Sequence, residues 1–323
     1  MGEHNTFVDD REGLQRLISR YFAEIFGSCY PSAEDVERGT EFVSAIVDEG
    51  MNRELLQLYT AEEVQKAIFQ MAPLKSPGPD DQIISQNQSA FVPGRLMTDN
   101  VLIAFEINHF LRTKYGGKNS HAAIKLDISK AYDKVEWRFL ERMLGRLGFD
   151  SRFVSLIMDC VRTVTYSFLL NGCEFGSLTP TRGLRQGDPL SPYLFLLCTK
   201  AFSSLLNHTE AERNIEGVRI CRRAPSISHL LFADDTEIYC RANHHSISHI
   251  KRILETYAKA SGQVINYDKS HMVLSKNTVQ PLRDTLPHIL GLQLEEHNEK
   301  YLGLPSMIGR SKRGVFSYIR DRV

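Results

Sequence analysis

His229-Leu230-Leu231-Phe232-Ala233-Asp234-Asp235-Thr236-Glu237-Ile238-Tyr239-Cys240 places two apolar runs, residues 230–233 and 236–239, on either side of a pair of acids. Short apolar runs around turn-forming residues predict a buried β-hairpin, here with an acidic turn. Aspartate is an ordinary turn residue, because its carboxylate accepts hydrogen bonds from turn backbone. Continuous apolar flanks, however, put this pair at the rim of a buried sheet, where two adjacent negative charges repel. Two unit charges about 4 Å apart cost about 4 kcal/mol at an effective dielectric near 20, a strain that a divalent cation relieves.

Working outward, residues 122–127 read as a buried strand that ends in a third acid, Asp127. One reading makes Asp127 a helix N-cap. The other joins it to Asp234-Asp235 as ligands of two magnesium ions about 3.5 to 4 Å apart, an arrangement suited to phosphoryl transfer. Between the acidic sites lies Arg182-Gly183-Leu184-Arg185-Gln186-Gly187-Asp188-Pro189-Leu190-Ser191-Pro192. Its glycines let backbone approach a ligand closely, and Pro189 predicts the start of an apolar helix whose N-terminal amides favour anions. A plain loop explains the glycines and prolines but not two arginines, a glutamine and an aspartate in one short turn.

The remaining pattern is mixed. Residues 10–72 are helical and end where Thr60 and Glu63 form a capping box ahead of Val64, Ala67, Ile68 and Met71. Lys75-Ser76-Pro77-Gly78-Pro79-Asp80 then reads as a turn or linker. Helices are expected at 100–111, 136–147, 151–164, 189–206 and 246–260, the last stopped by Gly262. Strands are expected at 166–170, before an Asn171-Gly172 turn, and more briefly at 264–267 and 272–274. The sum is an α+β fold: an antiparallel sheet with helices packed on one face.

At 323 residues and 42% hydrophobic, the chain can bury one large core or two modest ones. Lys+Arg and Asp+Glu are both 39, so a nucleic-acid partner must be held by a local basic groove rather than by overall charge. The six cysteines contain no C-x-x-C pair, which argues against a zinc or redox motif. No apolar stretch approaches the roughly 18 residues of a membrane span, and no signal-peptide pattern opens the chain. A soluble, intracellular protein is the expectation.

Together the three blocks resemble the reverse transcriptases of plant LINE-type, non-LTR retrotransposons. Leu126-Asp127-Ile128-Ser129-Lys130-Ala131-Tyr132-Asp133 is similar to polymerase motif A, the block from Gly183 through Pro192 to motif B, and Phe232-Ala233-Asp234-Asp235 to motif C, in the family's order. Asn87-Gln88-Ser89-Ala90-Phe91-Val92-Pro93-Gly94-Arg95 and Tyr301-Leu302-Gly303-Leu304-Pro305 resemble segments before and after the palm. The resemblance implies a right-hand polymerase palm performing two-metal nucleotidyl transfer as an RNA-directed DNA polymerase. Asp127 and Asp234 would bind Mg2+ (or Mn2+), Asp235 would complete the acidic cluster, and the Ile128 carbonyl would assist one ion. Tyr132 would block a ribose 2′-hydroxyl, Arg185, Gln186 and Gly187 would line the incoming nucleotide and template base, and Lys269, within Asn266-Tyr267-Asp268-Lys269-Ser270, would be the motif D general acid toward pyrophosphate. The implied partners are an RNA template, a DNA primer and deoxynucleoside triphosphates, and the implied compartment is the nucleus or cytoplasm.

The family also sets the expected organisation: a helical segment and linker at 1–82, a palm with residual fingers at 83–276, and a partial thumb or connection at 277–323. Family members separate the Pro-Gly-Pro-Asp and Asn-Gln-Ser-Ala-Phe segments by a long fingers stretch, whereas here Asp80 and Asn87 are nearly adjacent. Truncated fingers imply impaired activity, and the alternative is an inactive retrotransposon remnant that binds RNA or protein. Arg310, Lys312, Arg313, Arg320 and Arg322 form a basic cluster suited to a duplex backbone or to solvent.

Overall fold

In chain order the elements are α1 (Arg11–Phe26), α2 (Ala33–Thr40), α3 (Glu49–Leu55), α4 (Ala61–Gln70), α5 (Met97–Thr113), β1 (His121–Leu126), β2 (Ile128–Ser129), α6 (Trp137–Leu147), α7 (Ser151–Arg162), β3 (Tyr166–Leu170), β4 (Cys173–Leu178) and α8 (Ser191–Ala211). There follow β5 (His229–Phe232), β6 (Asp235–Arg241), α9 (His244–Ser261), β7 (Val264–Ile265), β8 (His271–Leu274), α10 (Gln280–Leu290), β9 (Gln293–Glu295), β10 (Lys300–Tyr301) and β11 (Leu304–Pro305). The structure is a computed structural model and describes residues 8, 10–70, 83–92, 94–296, 300–302 and 304–305. The expected linker at 75–80, Met71 and the C-terminal basic cluster lie outside the described residues. Two compact units divide the chain: the first draws on 1–75, 130–201 and 256–264, the second on 76–129, 202–255 and 265–323.

The second unit is built on a five-stranded sheet in the order β5-β6-β1-β8-β9. β1 pairs antiparallel with both β6 and β8, and β5 with β6, so β1 lies centrally. β9 joins β8 in parallel, a pairing that needs a crossover, and α10 supplies it. Helix α5 buries Val101, Ala104, Ile107 and Leu111, a helical stripe, against Ala123, Leu230, Tyr239 and Val273 of the sheet. Residues of the opposite parity, Ala122, Ile124, Ile238 and Met272, are equally shielded, so the central strands read as continuous apolar runs because both faces are covered.

The first unit is mainly helical. Its capping box is formed as expected: the Thr60 N–H donates to Glu63 Oε2 at 2.8 Å, and the Glu63 N–H to Thr60 Oγ1 at 3.2 Å. Glu37 on α2 holds Arg142 on α6 at 2.6 Å and pairs with Arg146 on the same helix. The β3–β4 hairpin turns at Asn171 and Gly172, which adopt φ of 53° and 77°, as a tight hairpin turn demands. Its Tyr166 and Phe168 stack on Phe26 and Phe22 of α1, with centroids 5.1 and 5.2 Å apart.

Two expectations change. Asp127 caps no helix: the chain continues into β2 and a turn in which Lys130 adopts φ of 53°. Strand-like pairing prevails there, since the Asn266 N–H donates to the Asp127 carbonyl at 2.8 Å. Pro189 lies ahead of α8 rather than in its first turn, and Pro192 is the helical proline. The Asp188 carboxylate accepts from the Leu190 N–H at 2.9 Å, making a local turn that delays the helix to Ser191.

Candidate functional site

All three acids read from the sequence fall in the second unit, at one end of its sheet. Leu126 is opposite Thr236 and Phe232 opposite Asp235, so Asp127 at the end of β1 lies beside the hairpin that carries Asp234 and Asp235. The hairpin has a two-residue turn, Ala233-Asp234, and Ala233 adopts φ of 54°, which residues with a side chain rarely occupy. Asp234 is exposed, while Asp127 and Asp235 are half-buried. Burial first, and then the Asp234 charge, push the Asp235 carboxyl above its ordinary value; Lys125 opposes this and Asp127 reinforces it.

Side chains that the sequence placed within motifs but to which it assigned no role hold these acids in place. The Asn266 amide donates to Asp127 Oδ2 at 3.0 Å, and the Asp127 N–H donates to Ser270 Oγ at 3.0 Å. The turn that carries Lys269 therefore grips Asp127 from both its flanks. Lys269 is exposed, and its own N–H donates to the Asn266 carbonyl at 3.2 Å. On the hairpin side, buried Gln88 accepts through Oε1 from the Ala233 N–H at 3.0 Å and from the Ala90 N–H at 2.9 Å. The Leu231 N–H donates to the Asn87 carbonyl at 2.8 Å, and the Ser89 N–H to the Leu231 carbonyl at 3.1 Å. The Asn-Gln-Ser segment thus braces β5 and the acidic turn. Ile128 follows Asp127 in β2 and is half-buried.

Tyr132, Arg185, Gln186 and Gly187 fall in the first unit. The Tyr132 ring stacks on Phe195 with centroids 4.4 Å apart. The Leu184 N–H donates to the Tyr132 carbonyl at 2.9 Å and the Gly183 N–H to the Val135 carbonyl at 2.8 Å, docking the glycine-rich loop on the end of motif A and the turn that follows it. Gly183, at φ of 97°, serves this docking rather than a ligand: a Cβ there would stand 2.6 Å from the Asp133 carbonyl oxygen. Gly187, at φ of 84°, faces open space.

The loop's polar residues do have internal partners. Buried Arg182 donates to the carbonyls of Ile25 at 2.8 Å and Glu24 at 3.2 Å and reaches the buried Glu136 carboxylate at 3.4 Å. Arg185 pairs with Asp188, and Gln186 donates to Asp133 Oδ1 at 3.2 Å. Burial raises the Asp133 carboxyl, opposed by the Lys130 charge and the Gln186 hydrogen bond. Among the described residues no three His, Cys, Asp or Glu side chains converge as a finished set of metal ligands.

The sequence pattern of the family described as reverse transcriptase (RNA-dependent DNA polymerase) matches residues 60–306, and every candidate position from Asp127 to Lys269 lies inside that match. The chain belongs to the reverse transcriptase family. Its relatives agree with the resemblance to non-LTR retrotransposons. An uncharacterized mitochondrial protein of Arabidopsis thaliana is 54% identical over 69 residues, 21% of this chain and 57% of that protein. The transposon TX1 uncharacterized 149 kDa protein of Xenopus laevis is 29% identical over 60% of this chain and 14% of its own length. A retrovirus-related Pol polyprotein from the type-1 retrotransposable element R2 of Popillia japonica is 23% identical over 66% of this chain and 36% of its own. This reverse transcriptase-family chain thus spans little more than half, or much less, of the curated relatives it matches. Among solved structures, apo telomerase from Candida tropicalis truncated from its C-terminal domain is similar with a TM-score of 0.45 and 11% identity, over 71% of this chain and 46% of that one. Among the described residues no helix is long and apolar enough to cross a membrane.

Proposed function

We propose that the chain performs RNA-templated synthesis of DNA, adding deoxynucleotides to a primer 3′-hydroxyl. The observation that carries this reading is the acidic end of the sheet, which gathers Asp127, Asp234 and Asp235 and where Asn266, Ser270 and Gln88 hold the backbone and side chains around them. Their oxygens are hard donors; burial first, and then the neighbouring Asp234 charge, raise the Asp235 carboxyl, and a divalent cation would favour its ionised form, so the residues suit Mg2+, with Mn2+ as a substitute. Asp127 and Asp234 would hold the metal, with Asp235 and the Ile128 carbonyl assisting. Bound Mg2+ would favour the ionised primer hydroxyl and offset the triphosphate's charge.

The chain's other residues have their own tasks in this reading. Tyr132, fixed by its stack on Phe195, bars a ribose 2′-hydroxyl and so selects deoxynucleotides. Arg185, Gln186 and Gly187 line the nucleotide and template base, with Gln186 oriented by Asp133. Lys269 protonates the departing pyrophosphate. Residues 83–276 act as the palm with residual fingers, 277–323 begin the thumb, and 1–82 precede them as a helical segment; the work is done in the nucleus or cytoplasm. A second reading, an inactive remnant that binds RNA or protein, is favoured by the near adjacency of Asp80 and Asn87 and by the incomplete convergence of ligands.

Primer extension on poly(rA) with an oligo(dT) primer separates the two readings. Extension in Mg2+ or Mn2+ that disappears in Asp234→Ala is the expected result. No extension from folded chain in either metal would leave the binding remnant.

A further inference from the structure

The end of the second unit's sheet opposite the carboxylates gathers positive charge. β1 begins and β6 finishes there, with His121 opposite Arg241. Burial and then the Lys114 and Arg241 charges hold His121 down at about 4, leaving it neutral, and Lys114 is itself lowered by burial and then by Arg241, so these two cations lie near each other. The loop leading into β5 adds to the same end. Val218 and Ile227 exchange backbone hydrogen bonds of 2.9 and 3.0 Å, the Arg241 N–H donates to the Glu216 carbonyl at 3.1 Å, and between the two bridge residues Arg219, Arg222 and Arg223 are all exposed. Residues 217–233 contain these three arginines and no acid. Glu216, just before them, is paired with Arg241 at 3.1 Å.

An aromatic ring stands beside these charges. Tyr115 follows Lys114 at the end of α5 and is 76% exposed. Its loop is fixed: the Asn277 amide donates to the carbonyls of Gly116, Gly117 and Asn119 at 3.2, 3.0 and 3.1 Å. Lys118, in the same loop, is exposed. A ring left three-quarters exposed beside a pinned loop, flanked in sequence by two lysines, has little packing to serve.

We propose that this rim is a binding surface for single-stranded nucleic acid, separate from the carboxylate end, in which Tyr115 stacks on a base while Lys114, Lys118 and the Arg219–Arg222–Arg223 loop hold phosphates. Arginine's planar fork matches phosphate oxygens two at a time. A ring flanked by cations is the general platform for a single strand, whose bases offer open faces that a duplex hides. Binding here does not depend on whether the carboxylates catalyse.

The test is fluorescence anisotropy of a labelled oligo(rU) strand with the full chain, together with hydrogen exchange to map the contact. Oligo(rU) should slow exchange in 114–120 and 219–227. Joint Arg222→Gln and Arg223→Gln substitution should weaken binding roughly tenfold and flatten the log–log salt slope by about 1.4, as loss of two phosphate contacts to a single strand requires. Tyr115→Ala should weaken binding by on the order of tenfold with the slope unchanged. Unchanged affinity in variants that melt like the parent overturns the proposal. So does protection of both loops by phosphatidylserine vesicles and not by oligo(rU), which would make the rim a membrane-facing surface. If the double arginine variant does not fold, Tyr115→Ala and the exchange map of the unaltered chain decide.

Discussion

Asn266 spends its amide on one oxygen of Asp127, and its own backbone N–H on the Asp127 carbonyl. A carboxylate fixed in this way needs little reordering to meet a cation, and outer partners of metal ligands typically contribute 10- to 100-fold in affinity or activity. Asn266→Ala is therefore expected to lower kcat by on the order of tenfold and raise the Mg2+ concentration needed for half-maximal rate, with little change in Tm; steady-state kinetics across Mg2+ concentrations check this. Glu237 makes a different prediction. It is fully buried on β6, accepts a hydrogen bond from the Tyr239 hydroxyl, and burial raises its carboxyl to about 7. The folded chain thus holds a proton there that the unfolded chain releases nearer 4.5. This group's contribution to stability is complete below the unfolded value and is lost as pH rises toward 7, by on the order of a few kcal/mol. Urea unfolding should show Glu237→Gln gaining on the parent between pH 5 and pH 8. At this scale Asp127, Asp234 and Asp235 were legible because acids amid apolar strands are conspicuous, whereas Asn266 and Gln88 were not. An amide looks like an ordinary turn or loop residue until the hydrogen bond it makes across more than a hundred residues of chain is known.

Helix α5 and the strands beneath it show which elements a sequence reveals. The stripe Val101, Ala104, Ile107 and Leu111 repeats at helical spacing, and the sheet it covers follows from apolar runs, so both were legible. Ile107→Ala should cost about 2 to 5 kcal/mol, read as a lower urea midpoint with an unchanged slope. Helix α10 was not legible. Pro287 lies inside it, and proline within an otherwise helical run normally reads as a stop. Nor was β9, a short strand with two exposed residues, whose parallel pairing with β8 exists only because α10 returns the chain. The acidic hairpin is supported by an element from outside it, the Asn87-Gln88-Ser89 segment along β5. Gln88→Ala removes the acceptor of the Ala233 N–H and should destabilise the chain by about 1 to 3 kcal/mol, with faster hydrogen exchange in 231–236.

Across the whole molecule, the sequence gives equal numbers of acidic and basic side chains and a pI near 7.2. Net neutrality removes the long-range repulsion that keeps chains apart. Light scattering at low salt is expected to rise as pH approaches 7 and to fall again by pH 9. Composition conveyed neutrality but not its uneven distribution, with acids at one end of a sheet and cations at the other, because that distribution depends on strand register. The alternation of the two units along the chain was equally hidden: the chain passes between them repeatedly, once within motif A, between Ser129 and Lys130. No linker composition marks that passage. A break in composition marks units that follow one another in sequence, whereas these two alternate along the chain.

The brace from Asn87 to Ser89 bears on how this chain tolerates loss. Among the described residues, Gln88 reaches the acidic turn through the Ala233 N–H, Asn87 and Ser89 pair with Leu231 beside it, and Ser85 just before them meets Ser203 at 2.6 Å. An ancestral excision that ended upstream of Ser85 would leave the turn's scaffolding whole. One that ran a few codons further would free the Ala233 amide and let the hairpin relax. Lineages of such elements should therefore show ragged, variable lengths before this point and a sharp limit at it, an edge drawn by one glutamine rather than by the chemistry of the acids.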